Sequence, residues 1–85
     1  MQVLIPSALL SYTHANKVNA TGTTLSELLS DLDHQYPGLR FRIIDEQENI
    51  RPHIRCFVNG EQVFNLEQAI QSDDEVCLVQ ALSGG

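Results

Sequence analysis

TLSELLSDLDHQYPG, residues 24–38, decides the fold of this chain. Leu25, Leu28, Leu29, Leu32 and Tyr36 recur at i, i+3, i+4, i+7 and i+11, which puts them on one face of an α-helix. Thr24 with Glu27 three residues on is a capping-box start, in which the threonine hydroxyl accepts from a free first-turn N–H. Pro37-Gly38 is the stop, because proline cannot continue the ladder and disfavours helical backbone at Tyr36. Asp31 and Asp33 fall on the wet side. A helix with one apolar stripe has to bury it against a second layer, and the flanks say what that layer is.

Before the helix, Met1, Val3 and Ile5 alternate with Gln2 and Leu4, a short strand that Pro6 closes. Lys17–Thr21 repeats the period weakly, and Gly22 ends it; the long loop between these strands leaves their register open. After the helix, Leu39, Phe41, Ile43 and Ile44 are expected beneath the sheet, with residues 45–49 as a polar loop. Ile54, Cys56 and Val58 then alternate with Arg55 and Phe57 as far as Asn59-Gly60. Asn-Gly between alternating runs signals a hairpin, since both central residues of a type I′ turn need positive φ. Glu61–Phe64 returns, Asn65 caps a short helical turn over Leu66–Ile70, and Ser72–Asp74 makes a tight turn. Glu75–Ala81 is the last strand, with Val76 and Leu78 on one face and Cys77 and Val79 on the other. The expectation is a two-layer α+β domain over residues 1–81, one main helix on a four- to five-stranded sheet, followed by a flexible tail over 82–85.

Eighty-five residues make one domain. A chain of this size buries only about 60% of its unfolded surface, leaving little spare stability for a deep catalytic cleft. Eleven acids against five bases, net −6, oppose binding to nucleic acid or to an anionic membrane. The same charge suits a partner with a basic docking face, or simple solubility. The N-terminal run has no basic region, and no stretch approaches the roughly 20 apolar residues that span a bilayer, so a cytoplasmic home is expected. Cys56 and Cys77 are too few for a disulfide framework and project from opposite faces of the sheet. His14, His34 and His53 lack ligand spacing, so no metal is expected. No Gly-rich loop precedes the helix, so no cofactor is expected and any ATP should bind a partner. Asp73, Asp74 and Glu75 read as a solvated turn that basic residues of a partner can meet.

The chemistry concentrates in Ser83-Gly84-Gly85. Two terminal glycines occur by chance in roughly one chain in 200, and alone they read as a frayed end. Directly after a strand, they would project from the domain on a short tether. A carboxylate is a poor electrophile and has to be activated, most simply as an acyl-adenylate made from ATP. Glycine suits that step because a backbone without Cβ passes through a narrow channel to the α-phosphate. The activated acyl group can then accept sulfur and become a thiocarboxylate.

Met1–Ile5, the capped helix, the run from Phe57 to Glu61 (FVNGE), and Asp74-Glu75-Val76 leading to Gly84-Gly85 stand in one order over nearly the whole chain. In these stretches the chain resembles the ThiS/MoaD family of ubiquitin-like sulfur carriers. The resemblance implies a β-grasp fold with a mixed sheet, and a protein that is not itself an enzyme. It implies that Gly85 is adenylated by a ubiquitin-activating-type adenylyltransferase and converted to a thiocarboxylate. A downstream synthase making cysteine, thiamine, molybdopterin or a specialised thio-metabolite would then accept the sulfur, and the free carrier would be a monomer. Two positions depart from the family pattern: Asp73-Asp74 replaces the common Gly-Asp, and Gln80-Ala81 stands where prolines are frequent. The longer loop before Arg51–Asn59 is closer to carriers that serve cysteine or specialised thio-metabolites. Two other readings stay open, a ubiquitin-like modifier joined to lysines through Gly85 and a β-grasp interaction module whose glycines are incidental.

Alternation also nominates a docking surface. With Ile54, Cys56 and Val58 towards the helix, Arg55 and Phe57 face outward beside Val79, and the patch leads to Leu82. An exposed aromatic and aliphatic cluster is a docking candidate, although single exposed apolar residues are ordinary. The candidate site is therefore Gly85 as the modified group, Ser83 and Gly84 as its tether, and Arg55, Phe57, Val79 and Leu82 as the partner surface.

Overall fold

The structure, a computed structural model, describes residues 1–81. The expectations placed on Leu82, Ser83, Gly84 and Gly85 lie outside the described residues. The elements are β1 (Gln2–Leu4), a 3-10 turn (Ser7–Leu9), α1 (Leu10–Thr13), β2 (Lys17–Asn19), α2 (Leu25–Gln35), α3 (Leu39–Ile43), β3 (Ile54–Val58), β4 (Glu61–Val63) and β5 (Glu75–Gln80). The strands form one mixed sheet in the order β2-β1-β5-β3-β4. Only the central β1·β5 pair is parallel; the other pairs are antiparallel. This is the β-grasp arrangement, with α2 laid across one face.

The start of α2 shows why this sequence makes a helix here. Thr24 is extended (φ −133°, ψ 163°), and its hydroxyl accepts from the Glu27 N–H at 3.2 Å. Glu27 reaches past Thr24 to Thr23, accepting from its N–H and its hydroxyl at 2.8 Å each. The Leu25 and Ser26 N–H groups donate to the carbonyls of Gln68 and Leu66 at 3.0 and 2.8 Å. Every donor of the first turn is thereby paired, so the buried helix end costs nothing in unmet hydrogen bonds. Those contacts correct the helical turn expected over Leu66–Ile70. Its carbonyls serve α2 instead of one another, and only a tight turn capped by Asn65 Oδ1 on the Glu67 N–H remains. Gly22 is required for the same docking, since a Cβ there would lie 2.6 Å from the Leu28 backbone nitrogen.

Leu25, Leu28, Leu29 and Leu32 of α2 are all fully buried, against Val3, Val76, Leu78, Cys56 and Ile54 of the sheet. Each such leucine contributes roughly 1.5–3 kcal/mol by leaving water. Two further expectations change. Phe41 does not pack beneath the sheet but is 55% exposed. Residues 39–43 are helical, so Leu39 and Ile43 share the inner face at i, i+4 and Phe41 points away. Asp31 and Asp33 are half-buried rather than on a wet face. Asp31 accepts from the Thr21 N–H and Gln35, and Asp33 accepts from the N–H groups of Gly38 and Arg40, capping α3. Finally, the long loop after β1 carries the 3-10 turn and α1, which bury Leu9 and Thr13.

Candidate functional site

The hairpin places the outward side chains. Asn59 and Gly60 have φ of 51° and 86°, and β3 and β4 pair with Phe57 opposite Gln62. Asn59 does a second job: its N–H donates to the Glu75 carbonyl, its Oδ1 accepts from the Glu75 N–H, and its amide donates to Asp74. This clamp sets the register of β5 against β3, in which Cys77 stands opposite Phe57 and Val79 opposite Arg55.

On the face away from α2 a single row then crosses the whole sheet: Lys17, Leu4, Cys77, Phe57, Gln62. Leu4, Cys77 and Phe57 are half-buried in its middle, and Val79 is 36% exposed one step along β5. Directly opposed side chains on paired strands stand about 5 Å apart at Cβ, so these residues form one continuous patch. Gln2, Lys17, Gln62 and Glu75 surround it, giving an apolar centre with a polar rim, the anatomy of a protein-binding surface. The structure thus brings Phe57, Val79 and Arg55 together. The Arg55 guanidinium turns back onto its own strand, donating to the carbonyls of Pro52 and Ile54. Leu4 belongs to the patch and was missed. Its outward phase was legible in the alternation with Val3 and Ile5, but its contact with Cys77 comes from the parallel pairing, which no local pattern announces.

β5 runs towards the tail and ends at Gln80, and the Ala81 N–H donates to the His53 carbonyl at 2.8 Å. Asp73, Asp74 and Glu75 stand at the opposite end of this strand. Hydrogen bonds from the Gln71 N–H and then the Asn59 amide hold the Asp74 carboxyl below its usual range. Asp74 is thus a structural acceptor at the pole away from Ala81. The two cysteines face opposite ways, as expected. Cys56 is fully buried and its thiol is pushed up to about 12 by desolvation, with the neighbouring Cys77 adding to it. Cys77 is raised as well, by its own partial burial and then by Glu75. Neither thiol has the lowered pKa of a nucleophile. Among the described residues there is no cluster of metal-ligating side chains, and no helix long and apolar enough to cross a membrane.

The comparisons with known proteins agree with this geometry. The family model described as ThiS family matches residues 3–85. The sulfur carrier protein CysO of Mycobacterium tuberculosis is 35% identical over 89 residues, covering 98% of this chain and 96% of that protein. A chain of the Amycolatopsis orientalis BexX/CysO complex superposes with a TM-score of 0.91 at 30% identity, covering 99% of this chain and 98% of that one. Small archaeal modifier protein 3 of Haloferax volcanii is 31% identical over 65 residues, covering 73% of this chain and 70% of that protein. A superposition this close, an identity of 35% and a family match over almost the full length leave one conclusion: the chain belongs to the ThiS family of ubiquitin-like sulfur carriers.

Proposed function

We propose that this protein carries sulfur as a thiocarboxylate on Gly85 and is a substrate of its partners rather than a catalyst. The observation that carries the reading is the end-to-end correspondence with sulfur carriers. The family match runs through Gly85, and CysO aligns over nearly all of both chains. In the first step a Gly85 carboxylate oxygen attacks the α-phosphorus of ATP on a ubiquitin-activating-type adenylyltransferase, and pyrophosphate leaves. A hydrosulfide-level nucleophile then displaces AMP, forming the C–S bond. The sulfur finally displaces a leaving group from an electrophilic carbon of the downstream synthase's substrate, and hydrolysis of the resulting thioester restores the carboxylate and releases the product thiol. The BexX/CysO complex of a similar chain supports a partner enzyme that grips the carrier directly. Incubation with such an adenylyltransferase and ATP is the test: pyrophosphate release is expected, and its absence would remove the reading.

The outer patch is the proposed grip for that enzyme. Replacing Phe57 with Asp puts a charge at the centre of the patch, where a partner would have to desolvate it. Binding to the adenylyltransferase is expected to weaken by at least about 2 kcal/mol, roughly 30-fold. The fold should lose only about 1 kcal/mol, because the side chain faces away from α2. Titration calorimetry beside a thermal melt separates the two effects, and equal binding by the variant would refute the patch.

The modifier reading draws on the similarity to the Haloferax protein, which covers less of both chains. It predicts Gly85 in isopeptide linkage to lysines rather than as a thiocarboxylate.

A further inference from the structure

Most of the basic residues of this molecule fall in one stretch of the chain, which also holds Asp45, Glu46 and Glu48. Four of the five basic residues, Arg40, Arg42, Arg51 and Arg55, lie between positions 40 and 55, in a chain with eleven acids. Arg40 is paired with Glu48 at 3.0 Å, the only ion pair among the described residues. Arg42 instead donates through Nε to the Tyr12 hydroxyl at 2.8 Å, and its guanidinium lies 5.8 Å from the Tyr12 ring centre. Arg51 donates through Nε to the Phe41 carbonyl at 2.7 Å and stacks 4.6 Å over the Phe41 ring. Both guanidinium groups are therefore pinned at Nε, and among the described residues no acceptor takes their two terminal nitrogens. A planar fork held in this way is preorganised for a carboxylate.

These side chains line a cleft of about 370 Å³ together with Phe41, His53 and Gln80. A second groove of about 340 Å³ continues past Arg51 to Arg55 and Phe64. No aspartate or glutamate lines either one. The cleft sits where the fold hands over to the tail, since Gln80 forms part of its wall and Ala81 hydrogen-bonds to His53. The acidic turn 73–75 lies at the other end of β5, about 17 Å away along the strand. Phe41 and Phe64 are 55% and 78% exposed. Exposed aromatics beside unpaired arginines are the composition of interface anchors.

We infer that this arginine-lined cleft is a second docking surface, which takes an acidic segment of the enzyme that acts on Gly85. The inference rests on the proposed reading of the tail and adds the chemistry of the partner's face. The net charge of −6 suggests a basic partner, but the surface that meets anything gripping Ala81 is locally basic. A nucleic-acid occupant is disfavoured, because eleven acids against five bases leave the molecule as a whole repulsive to a phosphate backbone.

The test compares wild type with an Arg42→Gln/Arg51→Gln double variant as substrates of the adenylyltransferase that activates wild type. KM for the carrier is expected to rise about tenfold with kcat within about twofold. Wild-type KM should also climb with added salt, while that of the variant should not. Arg42→Gln alone, an exposed position, keeps the test valid should the double variant melt early, with a rise of about threefold. An unchanged KM in an enzyme that activates wild type overturns the inference and leaves the Gly85 reading standing. If wild type itself is not activated, the tail reading falls, and a titration decides the cleft alone. The probe is a blocked hexapeptide of alternating glutamate and leucine, followed by NMR. Shifts at the Arg42 and Arg51 Nε–H signals that vanish with a glutamine-for-glutamate peptide support the cleft. Absent shifts, or tighter binding of a single-stranded DNA dodecamer, overturn it.

Discussion

Deletion of Gly84 and Gly85 is expected to abolish adenylation, with a loss of at least about a thousandfold, while leaving the folded domain intact. The core runs from Val3 to Leu78, and the sheet ladders and helix caps are complete within residues 1–81. The truncated domain should therefore melt within about 1 kcal/mol of wild type. The reacting carboxylate, by contrast, is drawn back by two residues, about 7 Å of extended chain. Attack on a phosphorus needs the reacting atoms within about 3.5 Å, and a misplacement of about 1 Å already costs about a hundredfold. Pyrophosphate release beside a melting curve measures both halves. Residual turnover would deny Gly85 its role, and early melting would show that the tail supports the core.

The largest effect on stability is expected from Leu29→Ala. Leu29 is fully buried in the stripe of α2, among Leu25, Leu28 and Leu32 and under the sheet. Removing three buried carbon atoms should cost about 3 kcal/mol, the lost transfer energy plus the cavity left behind. For a domain of this size, holding about 5–10 kcal/mol in total, the midpoint should fall by about 15 °C. Differential scanning calorimetry checks this. A fall of only a few degrees would mean that α2 is not the principal contact of the sheet. Because α2 is what holds β5 from behind, the variant should also lose binding in proportion to its unfolded fraction.

The helix, the Asn59-Gly60 hairpin and the inward phase of β3 and β5 were legible because each rests on a local period or a turn with one steric solution. The shared face of Phe57, Val79 and Arg55 follows from the same alternation, with Phe57 opposite Cys77 and Arg55 opposite Val79. What local pattern could not supply was tertiary pairing. Leu4 meets Cys77 only through the parallel β1·β5 ladder. The Leu66–Ile70 segment forgoes its own turn because α2 needs its carbonyls. Asn59 was read as a turn residue, and its clamp on Asp74 and Glu75 spans 15 residues or more. Phe41 departs from its expected place beneath the sheet because Gly38 and the Asp33 carboxylate start a short helix there, which turns it away from Leu39 and Ile43. That departure hid the Arg51–Phe41 stack, and with it the basic cleft beside Ala81.

Whether Gly85 is the sulfur-bearing group is decided most directly by intact-mass analysis of the native protein, with fragmentation to locate any change. The expected result is a fraction of chains in which one oxygen of the Gly85 carboxylate is replaced by sulfur, and whose mass reverts after alkylation and hydrolysis. Chains carrying only an ordinary carboxylate in cells with active sulfur transfer, or Gly85 found in isopeptide linkage to lysines of other proteins, would contradict the account.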